Sequence, residues 1–386
     1  MTDATTRLAV ELDDRGFDAG VEAEDFEAVE LPFDPRSIRV TTEPMVVSNL
    51  LRRLEKKRLD LQPDFQRLTG VWDDPRQSRL IESLLLKIPL PTFYMSEGPG
   101  DSLTVVDGIQ RLSTIARFVN PGLTGVEPLR LTGLEYLHNQ YGGKTFEELP
   151  GDRQDDILEA KLTVNLIMAG TPEQVMFNIF ARINTGGQPL SLQELRHALI
   201  PGRARTLLKE LATSDAFLLA TQQSVSPTRM ADREMVLRFL AFRMIDPLDY
   251  RKGDLDAFLR EATHKLNALD EQAVEELSAS FQVSMALAHA LFGEHAFRKL
   301  YREQTRRQPI NKALFEAVSV GLAKMGGPEA ASLIGSRFDI QERYMDLMED
   351  PDFFQSISVG IGDVARVRKR FGTLQQMFQD VADGIA

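Results

Sequence analysis

The sequence predicts an α+β protein built from a small mixed α/β domain followed by an all-helical one. Three observations predict it. Short runs of strand character, "SIRVTT", "TFYMSE", "SLTVV" and "LTVNLIMAG", all fall between Ser37 and Gly170. Stretches of helical periodicity alternate with them, as in a domain that packs helices on a sheet. From about Pro201 onward helical periodicity recurs, strand signals almost vanish and no fixed-period repeat emerges.

In order, residues 1–36 form an acidic arm, 37–200 the α/β domain and 201–386 the helical domain. The first 34 residues hold 11 Asp or Glu against two Arg, most of the chain's net charge of -12. With little periodicity, the arm reads as disordered or loosely docked. Ser37–Thr42 alternates like a strand. "EPMVVSNLLRRLEKKRLDL" then places Val46, Leu50, Leu51 and Leu54 on one helical face. Gln62–Pro75 is a loop, "RQSRLIESLLLKIPLP" a helix stopped before Pro89, and "TFYMSE" a strand. A strand over Ser102–Val106 runs through Asp-Gly into a helix from about Ile109 to Val119. Pro121–Lys161, rich in Gly, Pro and charge, reads as an insertion. Leu162–Gly170 is a buried strand, and Thr171-Pro172-Glu173-Gln174 opens a helix with Thr171 as its cap. Ser191 and Glu194 have capping-box spacing ahead of the next helix.

Composition narrows the chemistry. Cys is absent, which excludes disulfides and thiolate metal sites and fits a reducing cytoplasm. The five His are scattered without zinc-motif spacing, so zinc is not expected, nor are flavin or haem. The sequence shows neither a signal peptide nor an apolar run of bilayer length, and no membrane partner is expected.

Four stretches carry candidate chemistry. In Asp107-Gly108-Ile109-Gln110-Arg111, Gly108 allows positive φ and close approach of a ligand to the backbone. The first-turn amides of the helix suit a phosphate, and Arg111 offers a fork of donors. Asp107 could hold Mg²⁺ or orient a water, and Gln110 could position that water. The competing reading is a tight Asp-Gly turn with a solvent-facing Arg. In "QPDFQRLTGVW", Gln66 and Arg67 sit between apolar neighbours, either as an anion contact or as a loop plug with a snorkelling Arg. Asn184, Gly186 and Gly187 make a glycine-hinged loop, a wall of the site or an ordinary helix C-cap. Glu194, Arg196 and His197 on the helix after it read as a solvated face. Finally, the basic runs with Arg298, Lys299, Arg302, Arg306, Arg307 and Lys312, and with Arg368, Lys369 and Arg370, could touch nucleic acid or could be unrelated surface charges.

The order "DLQPDFQR…VW", "RLIESLLLKIPLPTFY", "VVDGIQRLSTI", "FARINTGGQPLSLQELRHAL" resembles the ParB/sulfiredoxin-like N-terminal domain of GmrSD-type, modification-dependent restriction enzymes. It spans roughly Arg39 to Ile200. The usual family core is Asp-Gly-Gln-Gln-Arg, and Ile109 stands here at its middle position. The resemblance implies a domain that binds or hydrolyses a nucleoside triphosphate with Mg²⁺ in a bacterial anti-phage defence system. It puts Asp107, Gln110 and Arg111 at the phosphates, Asp107 at the ion, and Arg67 as a second contact. No His-Asn-His-type block accompanies it, so the expectation is a stand-alone form whose nuclease or methyltransferase subunit is encoded nearby. The helical remainder also looks like that of stand-alone family members. Rival expectations are a nucleotide-switched module binding DNA or protein, and a nuclease subunit. A homo-oligomer is compatible with each.

Overall fold

The computed structural model describes residues 20–22, 39–61, 72–183, 191–251, 253–303 and 306–384. They divide into two units, one within Leu31–Leu199 and one drawn from Met1–Glu30 and Ile200–Ala386.

The first unit holds a mixed five-stranded sheet in the order β1-β5-β3-β4-β2. Its strands are β1 (Val40–Val46), β2 (Leu59–Asp60), β3 (Phe93–Glu97), β4 (Leu103–Asp107) and β5 (Lys161–Ile167). β5 runs antiparallel to β1 and parallel to β3; β4 is antiparallel to β3 and parallel to β2. Leu162, Val164 and Leu166 of β5 are buried while Lys161 and Thr163 are exposed, the period of two that a strand imposes. β1 lies at the sheet's edge, where Pro44, opposite Thr163, costs no ladder bond with a second neighbour.

Helices α1 (Val47–Glu55), α2 (Asp74–Leu85), α3 (Ile109–Val119), α4 (His138–Tyr141), α5 (Gly151–Leu158), α6 (Glu173–Ile183) and α7 (Leu192–Leu199) complete this unit. α2 starts because the Asp73 carboxylate accepts the Arg76 amide at 2.9 Å, with Pro75 in the first turn. Ser191 and Glu194 form the expected reciprocal capping box, Oγ to the Glu194 amide at 3.1 Å and Oε2 to the Ser191 amide at 2.6 Å.

Three sequence expectations shift. β1 continues through Val46, so the helix begins only at Val47. Leu59–Asp60 forms a strand where the helix was expected to continue. Thr171 does not cap α6; its hydroxyl donates to the Met168 carbonyl at 2.9 Å, and the helix begins at Glu173. Within Pro121–Lys161, the chain is tied to α2. The buried Glu82 carboxylate accepts the amides of Glu135, Tyr136 and Leu137 at 2.9, 2.7 and 2.8 Å, and Ser78 accepts the Thr132 amide. Burial alone would raise the Glu82 pKa; those amides and Arg79 outweigh it and hold the carboxyl below its ordinary value.

The second unit is helical: α8 (Arg203–Ala212), α9 (Asp215–Thr221), α10 (Ala231–Met244), α11 (Leu255–Ala268), α12 (Glu271–Phe292), α13 (Lys312–Leu322), α14 (Gly327–Gly335), α15 (Arg337–Glu349), α16 (Pro351–Ser358) and α17 (Val364–Ala382). Ser214, Asp254, Asp270, Asn311, Asp350 and Asp363 each accept first-turn amides, which is why these helices start where they do. α10 is buried from Asp232 to Phe242 and α13 from Ala313 to Leu322, so both are core helices buried on every side. Between them sits a charged network. Arg238 pairs with Glu234 at 2.9 Å and Glu316 at 3.3 Å, Arg370 of α17 also holds Glu316, and Lys312 reaches Glu234 at 3.2 Å.

Within the acidic arm, Gly20–Glu22 docks on this unit. Ile310 donates its amide to the Gly20 carbonyl at 2.7 Å and accepts the Glu22 amide at 2.8 Å. The Glu22 carboxylate accepts from Lys299 and, at 2.7 Å, from Asn311. Among the described residues, no helix is long and apolar enough to cross a membrane.

Candidate functional site

β4 delivers Asp107 to the mouth of α3, and the ladder there is irregular. Met95 pairs with Val105, but Tyr94 pairs with Asp107, so Val106 is an extra residue on β4. Such a bulge re-aims the next side chain. In a regular strand Asp107 would share the side of Val105; the bulge places it in register with Tyr94 instead. Gly108 follows at φ 97°, the left-handed region, as the N-cap of α3. A Cβ at Gly108 would lie 2.4 Å from Cδ1 of Phe93, so both the dihedral and the neighbouring ring require glycine.

Arg111, one turn into α3, folds back over this corner. Its Nη2 donates to Asp107 Oδ2 at 2.9 Å and to the Thr92 carbonyl at 3.3 Å, its Nη1 to the Pro91 carbonyl, and its guanidinium lies 4.5 Å from the centre of the Phe93 ring. Its side chain is 11% exposed, against 36% for Asp107. Burial pulls the Arg111 pKa below its ordinary value, and Asp107 partly offsets that. The solvent-facing Arg of the simple turn reading is therefore excluded. Both terminal nitrogens of Arg111 are engaged by the protein, which makes it a positioning group for Asp107 more than a free phosphate fork. Asp107 Oδ1 has no hydrogen-bond partner among the described residues.

The structure thus brings Asp107, Gly108, Gln110 and Arg111 together. Gln66, Arg67, Asn184, Gly186 and Gly187 lie outside the described residues. Trp72 stacks under the guanidinium of Arg76 at 4.5 Å. α7 packs against β4, and its Gln193, Glu194, Arg196 and His197 are all buried. The expected solvated face is in fact a polar interior: Arg196 Nε donates to Gln193 Oε1 at 2.9 Å. Sequence reading missed Phe93, the bulge and Tyr94. The alternation Tyr94, Ser96 and Thr163, Asn165, polar on every second residue, is the signal that could have drawn attention to that sheet face.

For Mg²⁺, no group of three or more His, Asp or Glu among the described residues is placed to hold a metal by itself. A magnesium ion bound with a nucleotide needs only one or two carboxylates, the rest coming from phosphates and water. Asp107 Oδ1, unpaired among the described residues on a partly exposed side chain, fits that requirement.

Several members of the basic runs are buried or held by the protein's own groups. Arg370 is fully buried against Glu316 and cannot reach DNA. Arg302 is held by Glu342, Asp346 and Glu349 at 3.3, 2.6 and 2.7 Å, a surround that raises its pKa and cancels its charge toward an anionic polymer. Arg298 is buried, donating to the carbonyls of Glu294, Gln308 and Thr221 and to Ser224 Oγ. Arg368 donates to the Leu248 carbonyl at 3.2 Å, and Lys369 lies 3.8 Å from Asp350. Arg306 and Arg307 are exposed. Basic residues adjacent in sequence do not form one cationic face.

A mixed five-stranded α/β domain with an acid–glycine–amide–arginine corner between strand and helix is the class of domain this geometry defines. Residues 47–201, less than half of the chain, match the family model described as the GmrSD restriction endonuclease, N-terminal domain. The match falls on the α/β unit and makes that unit similar to the N-terminal domain of GmrSD restriction endonucleases. No curated protein matches it.

Proposed function

We propose that the α/β unit binds a nucleoside triphosphate at the β4–α3 corner and hydrolyses it slowly, as the nucleotide-responsive part of a restriction-type defence system. The observation that carries this reading is the fixed carboxylate. Asp107 is put in register with Tyr94 by a bulge, pinned through Oδ2 by Arg111, and left with Oδ1 unpaired among the described residues, one residue before the Gly108 N-cap of α3. A preorganised acceptor next to helix N–H groups suits an anion with its counter-ion. The match to a restriction-enzyme domain supports the biological setting.

In this reading the first-turn amides of α3 and Gln110 receive the terminal phosphates. Asp107 Oδ1 would hold Mg²⁺, which supplies charge neutralisation when bound. Gln110 orients a water in line with the terminal phosphorus; its attack breaks the bridging P–O bond to give nucleoside diphosphate and inorganic phosphate. Arg111 keeps the carboxylate from rotating away. DNA cleavage belongs, in this proposal, to a partner subunit.

The test is phosphate release from each of the four ribonucleoside triphosphates with Mg²⁺, for wild type, Asp107→Asn and Gln110→Ala, with plasmid DNA in parallel. Release by wild type and not by the variants supports the enzyme. Binding without release supports a nucleotide-held switch, and no binding of any triphosphate ends the proposal.

A further inference from the structure

The bulge that re-aims Asp107 also completes a row. Pairing runs Thr42 to Asn165 on β5, Asn165 to Tyr94 on β3, and Tyr94 to Asp107 on β4. Residues paired in register lie side by side on one face of a sheet, so four polar side chains line up across four adjacent strands. Strand spacing of about 4.8 Å makes the row roughly 14 Å long. That span is comparable to an extended nucleoside triphosphate and longer than phosphates alone need.

The chemistry of the row is uneven. Thr42 Oγ1 donates to Asn165 Oδ1 at 2.6 Å, which fixes the amide and leaves Nδ2 as a donor. Asn165 Nδ2 and the Tyr94 hydroxyl take no hydrogen bond among the described residues, although both side chains belong to half-buried residues. The other face of the same strands is apolar and buried, with Phe93, Met95, Val105, Val164 and Leu166. One step along, the next row is covered: Ser96 Oγ lies 3.5 Å from the Met176 sulfur of α6. The Tyr94–Asn165 row is thus bounded by α6 and opens onto Asp107.

We propose that Tyr94 and Asn165 form the nucleoside subsite of the ligand whose phosphates sit at Asp107. The Tyr94 ring offers a flat surface beside the phosphate end. Asn165 Nδ2 donates to an acceptor on the base or ribose, and Thr42 holds the amide in that sense. The proposal rests on the triphosphate reading of the Asp107 corner.

Calorimetric titration of the full chain with a nucleoside triphosphate and with inorganic tripolyphosphate, both with Mg²⁺, separates the two. Asn165→Ala is expected to weaken triphosphate binding about tenfold and leave tripolyphosphate binding unchanged. Thr42→Val, at an exposed position, should give a smaller loss in the same direction and guards against misfolding of the first variant. Triphosphate affinity unchanged in both variants overturns the nucleoside subsite, as does wild type binding tripolyphosphate as tightly as the triphosphate. Asp107→Asn tests the phosphate reading separately. Unchanged binding of both ligands by that variant overturns the Asp107 assignment, and with it the proposal as stated. Failure of wild type to bind either ligand overturns both.

Discussion

Arg111 Nη2 lies 2.9 Å from Asp107 Oδ2, although one residue sits a turn into a helix and the other ends a strand. The contact is held on three sides, by the Pro91 and Thr92 carbonyls and the Phe93 ring. Separate consequences follow for the two partners. Arg111→Lys keeps a charge but loses the planar fork, so the protein should lose about 1–3 kcal/mol of stability. Asp107→Asn keeps an oxygen for Arg111 and should fold as wild type while losing phosphate release. Denaturation and phosphate assays on the pair check this; Asp107→Asn with wild-type turnover would remove the carboxylate from the chemistry.

Gly108→Ala should be costly for two reasons that can be separated. The φ of 97° strains any Cβ, and the Phe93 ring occupies the space it needs. A loss of about 2–4 kcal/mol is expected. In a Phe93→Leu background the same substitution should cost less, because only the dihedral strain remains. A double-mutant cycle by chemical denaturation reads the difference.

Glu316 receives both Arg238 and Arg370 where no water reaches. Glu316→Gln leaves two buried guanidinium groups facing a neutral amide. Removing one member of a buried ionic set costs about 3–5 kcal/mol. Urea denaturation followed by circular dichroism should show the helical transition moving to lower denaturant. An unchanged midpoint would mean that water enters the network.

Asp232, at the start of α10, is pushed up to about 6 because burial outweighs the Arg233 amide and charge beside it. A raised folded-state value stabilises the fold fully below the ordinary carboxyl value and loses that contribution as pH rises through about 6. Above that, the ionised carboxylate works against folding. Asp232→Asn should therefore match wild type near pH 4 and exceed it near pH 7 by up to about 3 kcal/mol. Thermal unfolding across that range decides it; equal stability at both pH values would show that the carboxylate is solvated.

How much was legible in the sequence depended on how local the cause was. The Asp-Gly turn, the α3 start at Ile109 and the Ser191–Glu194 capping box are decided by neighbours within four residues, and all were readable. The Val106 bulge and the two-residue β2 depend on strand partners far away, and no local pattern encodes them. Charge was the least legible quantity. Arg302 draws its neutrality from Glu342, Asp346 and Glu349, a stripe on α15 some forty residues on. Arg370 was readable in hindsight: with Val367, Phe371 and Leu374 it falls on the buried face of α17 at helical spacing.

The docking of Gly20–Glu22 on Ile310 makes the order of the polypeptide matter. The helical unit borrows a segment made before the α/β unit, then waits through that whole unit for its remaining helices to be synthesised. In topological terms the α/β unit is a guest inserted into a split host. A helical fragment beginning at Ile200 lacks the backbone bridge to Ile310 and the carboxylate that meets Lys299 and Asn311. A peptide carrying Gly20–Glu22 would return both to such a fragment, so the two pieces of the host are expected to reassemble in trans.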